Sequence, residues 1–146
     1  PIRHVLKVNL WAKRFLSCQQ SGYRWPAYRA DAYMSCSSYG GSNPALRMGS
    51  LLAVLPSVNC DAAVTSRQAR KLCKALQDYG AYVVDDTYWD VHAFAIDANA
   101  EFGDGGTFDD DVQELFQMLY VVDNNSANNI GGGGTPRAPL APPFAN

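Results

Sequence analysis

Four cysteines in the first half of the chain are the feature that most constrains its fold. They are Cys18, Cys36, Cys60 and Cys73. Three pairings are possible, and the low entropic cost of closing short loops favours Cys18 with Cys36 and Cys60 with Cys73. Each such bridge would contribute about 3 kcal/mol to stability in the chain-entropy model. Because the spacing fits no zinc motif of the CxxC type, two disulfides in an oxidising compartment are favoured over four free thiols.

The size and the composition indicate one globular domain with its own core. The chain has 146 residues, of which 47% are apolar and 18% are charged, and its formal net charge is −2. Nucleic-acid-binding domains carry a basic surface, so this balance argues against a nucleic-acid partner. No apolar run is long enough to cross a bilayer, so we expect no membrane span. Because the chain begins with Pro1 and not with methionine, we expect a processed product or a fragment of a longer protein.

Hydrophobic periodicity predicts short strands and two helices. Helices are predicted at 66–79 and 109–119, and strands at 2–11, 50–55, 81–84, 91–96 and 120–122. In the first helix Thr65 and Gln68 fit a capping box, and Gly80 suits the left-handed residue that ends a helix. Strands 81–84 and 91–96 are expected to pair as a hairpin. We therefore predict an α+β fold: a β-rich domain with an antiparallel, β-sandwich-like (jelly-roll-like) sheet and two helices packed against it.

The composition changes after residue 122, and we therefore predict that the globular domain spans residues 1–122. Residues 123–146 form an extended tail rich in asparagine, glycine and proline, which cannot build a core by itself. We expect this tail to dock on its own domain or on a neighbouring subunit, with the large apolar side chains of Leu140 and Phe144 as anchors. Asn124 begins an Asn-Asn-Ser sequon and is a candidate glycosylation site in a secreted protein.

One candidate site is a group of ionisable residues around a predicted turn. Asp85, Asp86, Asp90 and His92 cluster there, and the paired carboxylates could hold calcium or act as general acid and base with His92. Aspartate is also common in turns that have no such role, and nothing here matches an EF-hand loop. The chain contains no nucleophile elbow, zinc-binding helix, phosphate loop or dinucleotide fingerprint. We therefore predict no cofactor and no metal site.

A second candidate site is a concentrated aromatic and cationic patch. Its members are Tyr23, Arg24, Trp25 and Tyr28. Aromatic faces stack on sugar rings and the arginine fork hydrogen-bonds hydroxyl groups, so the patch could bind a glycan. The alternative is that these residues are ordinary core and edge aromatics.

Six segments of the chain resemble sequences in a family of large secreted, mostly bacterial proteins. They are IRHVL at 2–6, YRWPA at 23–27, RMGSLL at 47–52, DYGAYVVDD at 78–86, VVDNN at 121–125 and GGGGTPR at 131–137. The resemblance implies an extracellular, β-sandwich-like domain that forms the C-terminal part of such a protein. It brings no established reaction, so no catalytic residue follows from it.

The tail and the lack of a catalytic motif favour a function other than catalysis. We expect a secreted structural or assembly subunit, of a filament or surface-layer type, that self-associates through its C-terminal tail. The alternative is a glycan-binding module or a fragment of a polysaccharide-degrading enzyme, with the aromatic patch and the Asp85, Asp86 and His92 group as the candidate residues.

Overall fold

The computed structural model of the protein describes residues 1–96, Asn99, 106–137 and 139–142. Phe144, one of the predicted tail anchors, lies outside the described residues. The strands are β1 (Leu6–Leu10), β2 (Leu51–Val54), β3 (Ala81–Asp86), β4 (Ala93–Phe94) and β5 (Leu119–Val121). The helices are α1 (Ala12–Phe15), α2 (Cys60–Ala63), α3 (Arg67–Asp78) and α4 (Gly106–Gln117), with short 3-10 segments at Gln19–Gly22 and Ile130–Gly133.

These elements confirm the predicted α+β class. The two predicted helices correspond to α3 and α4, and α1 and α2 are additional single turns of helix. Among the described residues the helices contain more residues than the strands do, so the domain is less β-rich than predicted.

The five strands form one mixed sheet in the order β4-β1-β3-β2-β5. β1 runs parallel to β3, whereas the other three pairs are antiparallel. The prediction of an antiparallel sheet is therefore wrong, because the long connection from β1 to β3 contains a helix and permits parallel pairing. A sandwich or jelly roll needs a second sheet packed on the first, and the described part of the chain forms one sheet.

The predicted hairpin between 81–84 and 91–96 does not form. β3 lies in the middle of the sheet, and both of its edges are already paired, with β1 on one side and β2 on the other. β4 pairs with β1 instead, where Val8 lies opposite Phe94.

Alternation along the strands gives the sheet two different faces. One face packs against α3 and α4 in the main core, and we call it the helix-covered face. Its buried side chains are Val8, Leu52, Val54, Ala81 and Val83. The opposite face carries Lys7, Leu51, Ala53, Tyr82 and Tyr120. Several of these residues line a cavity together with the C-terminal tail, so we call it the tail-side face.

Helix α3 forms because its apolar residues recur on one face, which is buried against the sheet. The Ser66 hydroxyl accepts a hydrogen bond from the Ala69 N–H at 3.2 Å, so Ser66 is the N-cap and not the predicted Thr65. Gly80 follows the helix with a φ of +72°, as expected for a left-handed end. A Cβ at this position would lie 2.5 Å from the Leu52 carbonyl oxygen, so the turn into β3 requires glycine.

Two disulfides connect the chain locally, Cys18 with Cys36 and Cys60 with Cys73. This is the pairing that short-loop closure favours. Cys73 lies on the buried face of α3, so its bridge fixes α2 against α3. The bridge between Cys18 and Cys36 closes the loop that carries the predicted aromatic patch.

A buried carboxylate joins α4 to the start of α3. The two carboxylate oxygens of Asp111 accept hydrogen bonds from the Thr65 N–H at 2.8 Å and from the Ser66 N–H at 2.6 Å. Burial by itself would raise the pKa of Asp111, but the hydrogen bonds from Ser66 and Thr65 outweigh it and hold this pKa below its ordinary value of 3.8. We call this pair of bonds the Asp111 clasp.

The C-terminal tail lies against its own domain. The Arg137 guanidinium donates to the Asp78 carboxylate at 2.9 Å and to the Lys74 carbonyl at 3.0 Å. These groups belong to the last turn of α3, where a cation also complements the helix dipole. Leu140, one of the predicted tail anchors, is 63% exposed, and Arg137 makes the polar contacts between this part of the tail and α3. We call the Arg137 contacts with α3 the Arg137 clasp.

Candidate functional site

Two of the four predicted glycan-binding residues hold their own loop in place. Tyr23 packs against the core. The Arg24 guanidinium donates to three backbone carbonyls, at 2.6 Å to Asp123, 3.2 Å to Asn125 and 3.3 Å to Ala45. Arg24 thereby joins the loop closed by the first disulfide to the beginning of the tail. Since its donors are used inside the fold, it has a structural role.

The other two residues of the predicted patch reach the surface. Trp25 packs its ring edge-on against Tyr82, with ring centroids 6.4 Å apart, and is partly exposed. The Tyr28 ring projects into solvent, and the Arg29 guanidinium carbon lies 5.4 Å from its centroid. This cation–π contact restricts the orientation of the Tyr28 ring.

A second group of exposed aromatic residues surrounds Asp86, where β3 ends. The Tyr33 hydroxyl donates to one oxygen of this carboxylate at 3.0 Å, and the Tyr88 N–H donates to the other at 2.9 Å. The Tyr33 and Tyr88 rings meet edge-on, with centroids 6.0 Å apart, and Trp89 follows directly in the chain. Burial and the hydrogen bond to Asp86 raise the pKa of Tyr33, so its hydroxyl remains protonated as a donor.

Tyr88 is held in a strained backbone conformation, with a φ of +68°. This left-handed backbone conformation costs a bulky residue roughly 1–2 kcal/mol of conformational free energy. The hydrogen bond from its N–H to Asp86 offsets part of that cost and fixes the turn. The Tyr88 side chain is therefore presented outward by a defined turn.

Tyr88 and Trp89 were missed by the sequence-based search for binding residues. The sequence does contain a signal for them, a pair of consecutive aromatic residues inside an aspartate-rich turn. A turn between strands exposes its side chains, so aromatic residues there are candidates for binding. We call the four exposed rings of Tyr28, Tyr33, Tyr88 and Trp89 the aromatic rim.

Tyr28 of this rim lines a groove of about 550 Å³, whereas Tyr33, Tyr88 and Trp89 lie outside its lining. It lies between the loop that carries Tyr28 and the middle strands, and its charged lining residues are Lys7, Arg29, Asp31 and Asp85. Asp31 connects the groove to the rim, because its charge contributes to the raised pKa of Tyr33. The buried Tyr39 hydroxyl donates to Asp31 at 2.5 Å and fixes that carboxylate.

The predicted acid/base group is not brought together. Asp85 lines the groove, whereas His92 lines a different cavity, and the two cavities share no described lining residue. Asp86 accepts hydrogen bonds from the Ala12 N–H, the Tyr88 N–H and the Tyr33 hydroxyl, so both of its oxygens position other groups. Among the described residues no cluster of three or more histidine, cysteine or acidic side chains could hold a metal ion.

The predicted glycosylation site lies at the start of the tail. Asn124 is exposed, and its side-chain amide donates to the Gly132 carbonyl at 3.0 Å. The neighbouring Asn125 is buried and accepts from the Gly131 N–H at 2.9 Å and from the Tyr82 hydroxyl at 3.3 Å. Asn124 is thus presented by a tail segment that Asn125 fixes, and its glycosylation stays a prediction.

Comparisons of the chain with protein-family models, with curated proteins and with solved structures find no match. Within the described ranges, no helix is both long enough and apolar enough to cross a membrane.

Proposed function

We propose that this protein is an extracellular carbohydrate-binding domain whose binding surface is the groove together with its aromatic rim. The observation that carries the proposal is the exposure of four aromatic rings on fixed segments. The exposed fractions are 80% for Tyr28, 47% for Tyr33, 75% for Tyr88 and 66% for Trp89. Aromatic rings of this kind offer flat apolar faces on which the C–H faces of sugar rings stack.

The groove supplies the polar groups that such a ligand also needs. Lys7 and Arg29 can donate to sugar hydroxyls, and Asp31 and Asp85 can accept from them. Its volume of about 550 Å³ lies in the range of sites for small ligands. Since Asp31 and Tyr33 are each hydrogen-bonded to a neighbouring side chain, little ordering entropy is lost on binding.

The contacts of the carboxylate at the rim support binding over hydrolysis at that position. Asp86, the carboxylate at the centre of the rim, has both oxygens engaged in positioning Tyr33, Tyr88 and Ala12. A general acid would need a free carboxyl group within reach of the leaving oxygen.

Two observations support an extracellular location. Both disulfides belong to the fold, and disulfides persist mainly in oxidising compartments. The resemblance of six segments to large secreted, mostly bacterial proteins points to the same location.

The test is a glycan array followed by calorimetric titration of the best ligand. We expect Trp89→Ala and Tyr88→Ala each to weaken binding about tenfold, which corresponds to about 1.4 kcal/mol. Tyr120→Ala is the matched control, because Tyr120 is also an exposed aromatic residue but lies on β5, away from the rim. The proposal fails if no glycan or polysaccharide binds, or if the control weakens binding as much as the rim variants do.

A second function, an assembly subunit of a filament or surface-layer type, is favoured by the exposed apolar side chains of the tail. Ile130 and Leu140 are both largely exposed and line the cavity of about 530 Å³ between the tail and the tail-side face. In this proposal they contact a neighbouring copy, while the Arg137 clasp holds the tail in position. A stable contact between copies would bury roughly 1,200 Å² or more.

Light scattering over a range of protein concentrations tests the assembly proposal. We expect the protein to self-associate and Leu140→Asp to abolish the association. Val91→Asp, on another exposed site, should leave it intact. A chain that stays monomeric at the highest concentration reached would exclude this function and leave the carbohydrate proposal untouched.

A further inference from the structure

A separate cavity lies on the other side of the sheet from the tail. Its volume is about 490 Å³, and its floor is apolar, formed by Leu10, Leu52 and Val121 of the sheet together with Phe116 of α4. Polar side chains of Arg14, Gln113 and Gln117 also line it. An apolar floor with a few polar groups is the usual construction of a small-molecule site.

His92 is the ionisable group of this cavity that burial affects most. Its ring is held between two aromatic rings, with centroids 4.9 Å from Phe15 and 5.3 Å from Phe116. Its Nδ1 atom is buried and has no hydrogen-bond partner among the described residues. Burial lowers the pKa of His92, so the ring is neutral at pH 7 and one nitrogen can donate. A buried polar atom without a close partner is costly, so a water molecule or a ligand that hydrogen-bonds this nitrogen is stabilised in the cavity.

The charge of the lining selects the kind of ligand. Arg14 is a charged lining residue, and no aspartate or glutamate is among the described residues that line the cavity. Asp90 approaches the Arg14 guanidinium at 3.9 Å, but both side chains are largely exposed, so this pair is weak and leaves donors of Arg14 free. Both charges act on His92: the Asp90 carboxylate raises the pKa of the ring, and the Arg14 guanidinium lowers it to a smaller extent, so both groups lie near the imidazole. A cation and a neutral imidazole therefore lie near each other above an apolar floor.

We propose that this cavity binds a small monocarboxylic acid with an apolar body, a ligand different in kind from the glycan of the proposed function. The carboxylate accepts hydrogen bonds from Arg14 and His92, and the apolar body packs on Phe15, Phe116 and the leucines of the sheet. Arginine suits this role because its planar fork matches the two oxygens of a carboxylate.

Octanoate is the test ligand, and 1-octanol is its uncharged counterpart of equal chain length. We expect octanoate to shift the His92 side-chain nitrogen signals in NMR titrations, and to bind about tenfold more tightly than 1-octanol. Arg14→Met, which keeps an unbranched stem but removes the charge, should lower octanoate affinity about tenfold, or about 1.4 kcal/mol. Lys13→Met is the matched control, because Lys13 is an exposed cation on the same helix that does not line the cavity.

His92→Phe tests the second donor while keeping an aromatic ring between Phe15 and Phe116. Its folding is checked by circular dichroism, and it should bind octanoate more weakly while binding 1-octanol as before. The proposal is overturned if octanoate leaves the His92 signals unchanged, or if Arg14→Met and Lys13→Met bind it equally well. These outcomes are independent of the glycan measurements, which concern the other cavity.

Discussion

The two faces of the central sheet pack against different elements, helices on one side and the C-terminal tail on the other. A carboxylate holds each of these elements in position. On the helix-covered face α3 and α4 pack apolar side chains into the core, and the Asp111 clasp joins the two helices with buried backbone hydrogen bonds. On the tail-side face a glycine- and proline-rich segment lies across the strands, and the Arg137 clasp holds it at the surface.

The comparison shows why two contacts of similar geometry contribute unequally to stability. When the Asp111 clasp is removed, the buried N–H of Ser66 loses its partner where water does not readily replace it, which costs about 1–3 kcal/mol. The N–H of Thr65, whose hydrogen bond is partly buried, loses its partner as well and adds a smaller cost. In the Arg137 clasp the arginine side chain is 54% exposed, although the Asp78 side chain is 14% exposed. Water therefore replaces part of the contact when the clasp is removed, and ion pairs near the surface contribute roughly 0–1 kcal/mol. Stability is therefore concentrated on the helix-covered face, and the stretch of the tail around Arg137 is the part of the fold that can open at small cost.

The largest expected effect is that of breaking the helix-side clasp. Asp111→Ala should lower the free energy of unfolding by about 3 kcal/mol, because two backbone N–H groups lose their acceptor. Chemical denaturation with intact disulfides measures it. Asp110→Ala is the control, since Asp110 is exposed on the same helix, and it should change stability by no more than about 0.5 kcal/mol. Equal effects of the two substitutions would contradict the role of the clasp.

Substitutions at two glycines with positive φ, one beside the central strands and one in the tail, allow the stability of the two regions to be compared directly. Gly80→Ala should destabilise by about 2 kcal/mol, because the new Cβ meets the Leu52 backbone carbonyl at 2.5 Å and the left-handed conformation is strained. Gly132 in the tail has a φ of +78°, and the atoms nearest to a Cβ there are side-chain atoms of Val122 at 2.5 Å and Asn124 at 2.7 Å, which must shift. Gly132→Ala should cost about 1 kcal/mol, less than Gly80→Ala, because side chains of the tail and not the backbone of a central strand have to move. A larger loss for Gly132→Ala would show that the tail carries more stability than we infer.

Acid should weaken the helix-side clasp. The pKa of Asp111 lies below its ordinary value of 3.8 in the folded protein, so the folded state binds fewer protons than the unfolded state in this range. Its contribution is thus fully present above about pH 5 and is lost as the pH falls through the folded pKa. Denaturation curves measured from pH 6 to pH 2 should show this loss, and Asp111→Asn should reduce it. An unchanged pH dependence in Asp111→Asn would show that other carboxylates cause the acid sensitivity.

The sequence predicts the regular part of the fold better than its topology. The repeat of apolar residues and the glycine after it locate α3, and loop entropy favours the observed disulfides, because both depend on neighbours in the chain. The parallel pairing of β1 with β3 depends on which edges of the sheet remain free after the other strands have paired. The pairing of strands is thus a property of the whole sheet, which explains why the predicted hairpin of 81–84 with 91–96 does not form.

The candidate site illustrates the same limit for side chains. Tyr23 and Tyr28 are similar in the sequence, yet the first packs on the core and the second projects into solvent. The Arg24 guanidinium donates hydrogen bonds to carbonyls of the tail about a hundred positions later in the chain. No local sequence pattern predicts such a contact. The grouping of Tyr33 with Tyr88 likewise depends on Asp86, which accepts hydrogen bonds from its neighbour Tyr88 and from Tyr33, a residue 53 positions earlier in the chain.

The smallest expected effect on stability is that of opening the tail. Arg137→Ala should lower the free energy of unfolding by about 0.5–1 kcal/mol, because the Arg137 side chain is half exposed and water replaces part of its contact with the less exposed Asp78. The same substitution should markedly speed hydrogen–deuterium exchange at the Ala141 N–H, which is bonded to the Arg3 carbonyl at 2.8 Å. Arg67→Ala, at an exposed arginine near the start of α3, is the control and should leave that exchange unchanged. If the tail amides stay protected in Arg137→Ala, the cover of the tail-side face does not depend on its clasp, and the contrast between the two faces is then one of packing alone.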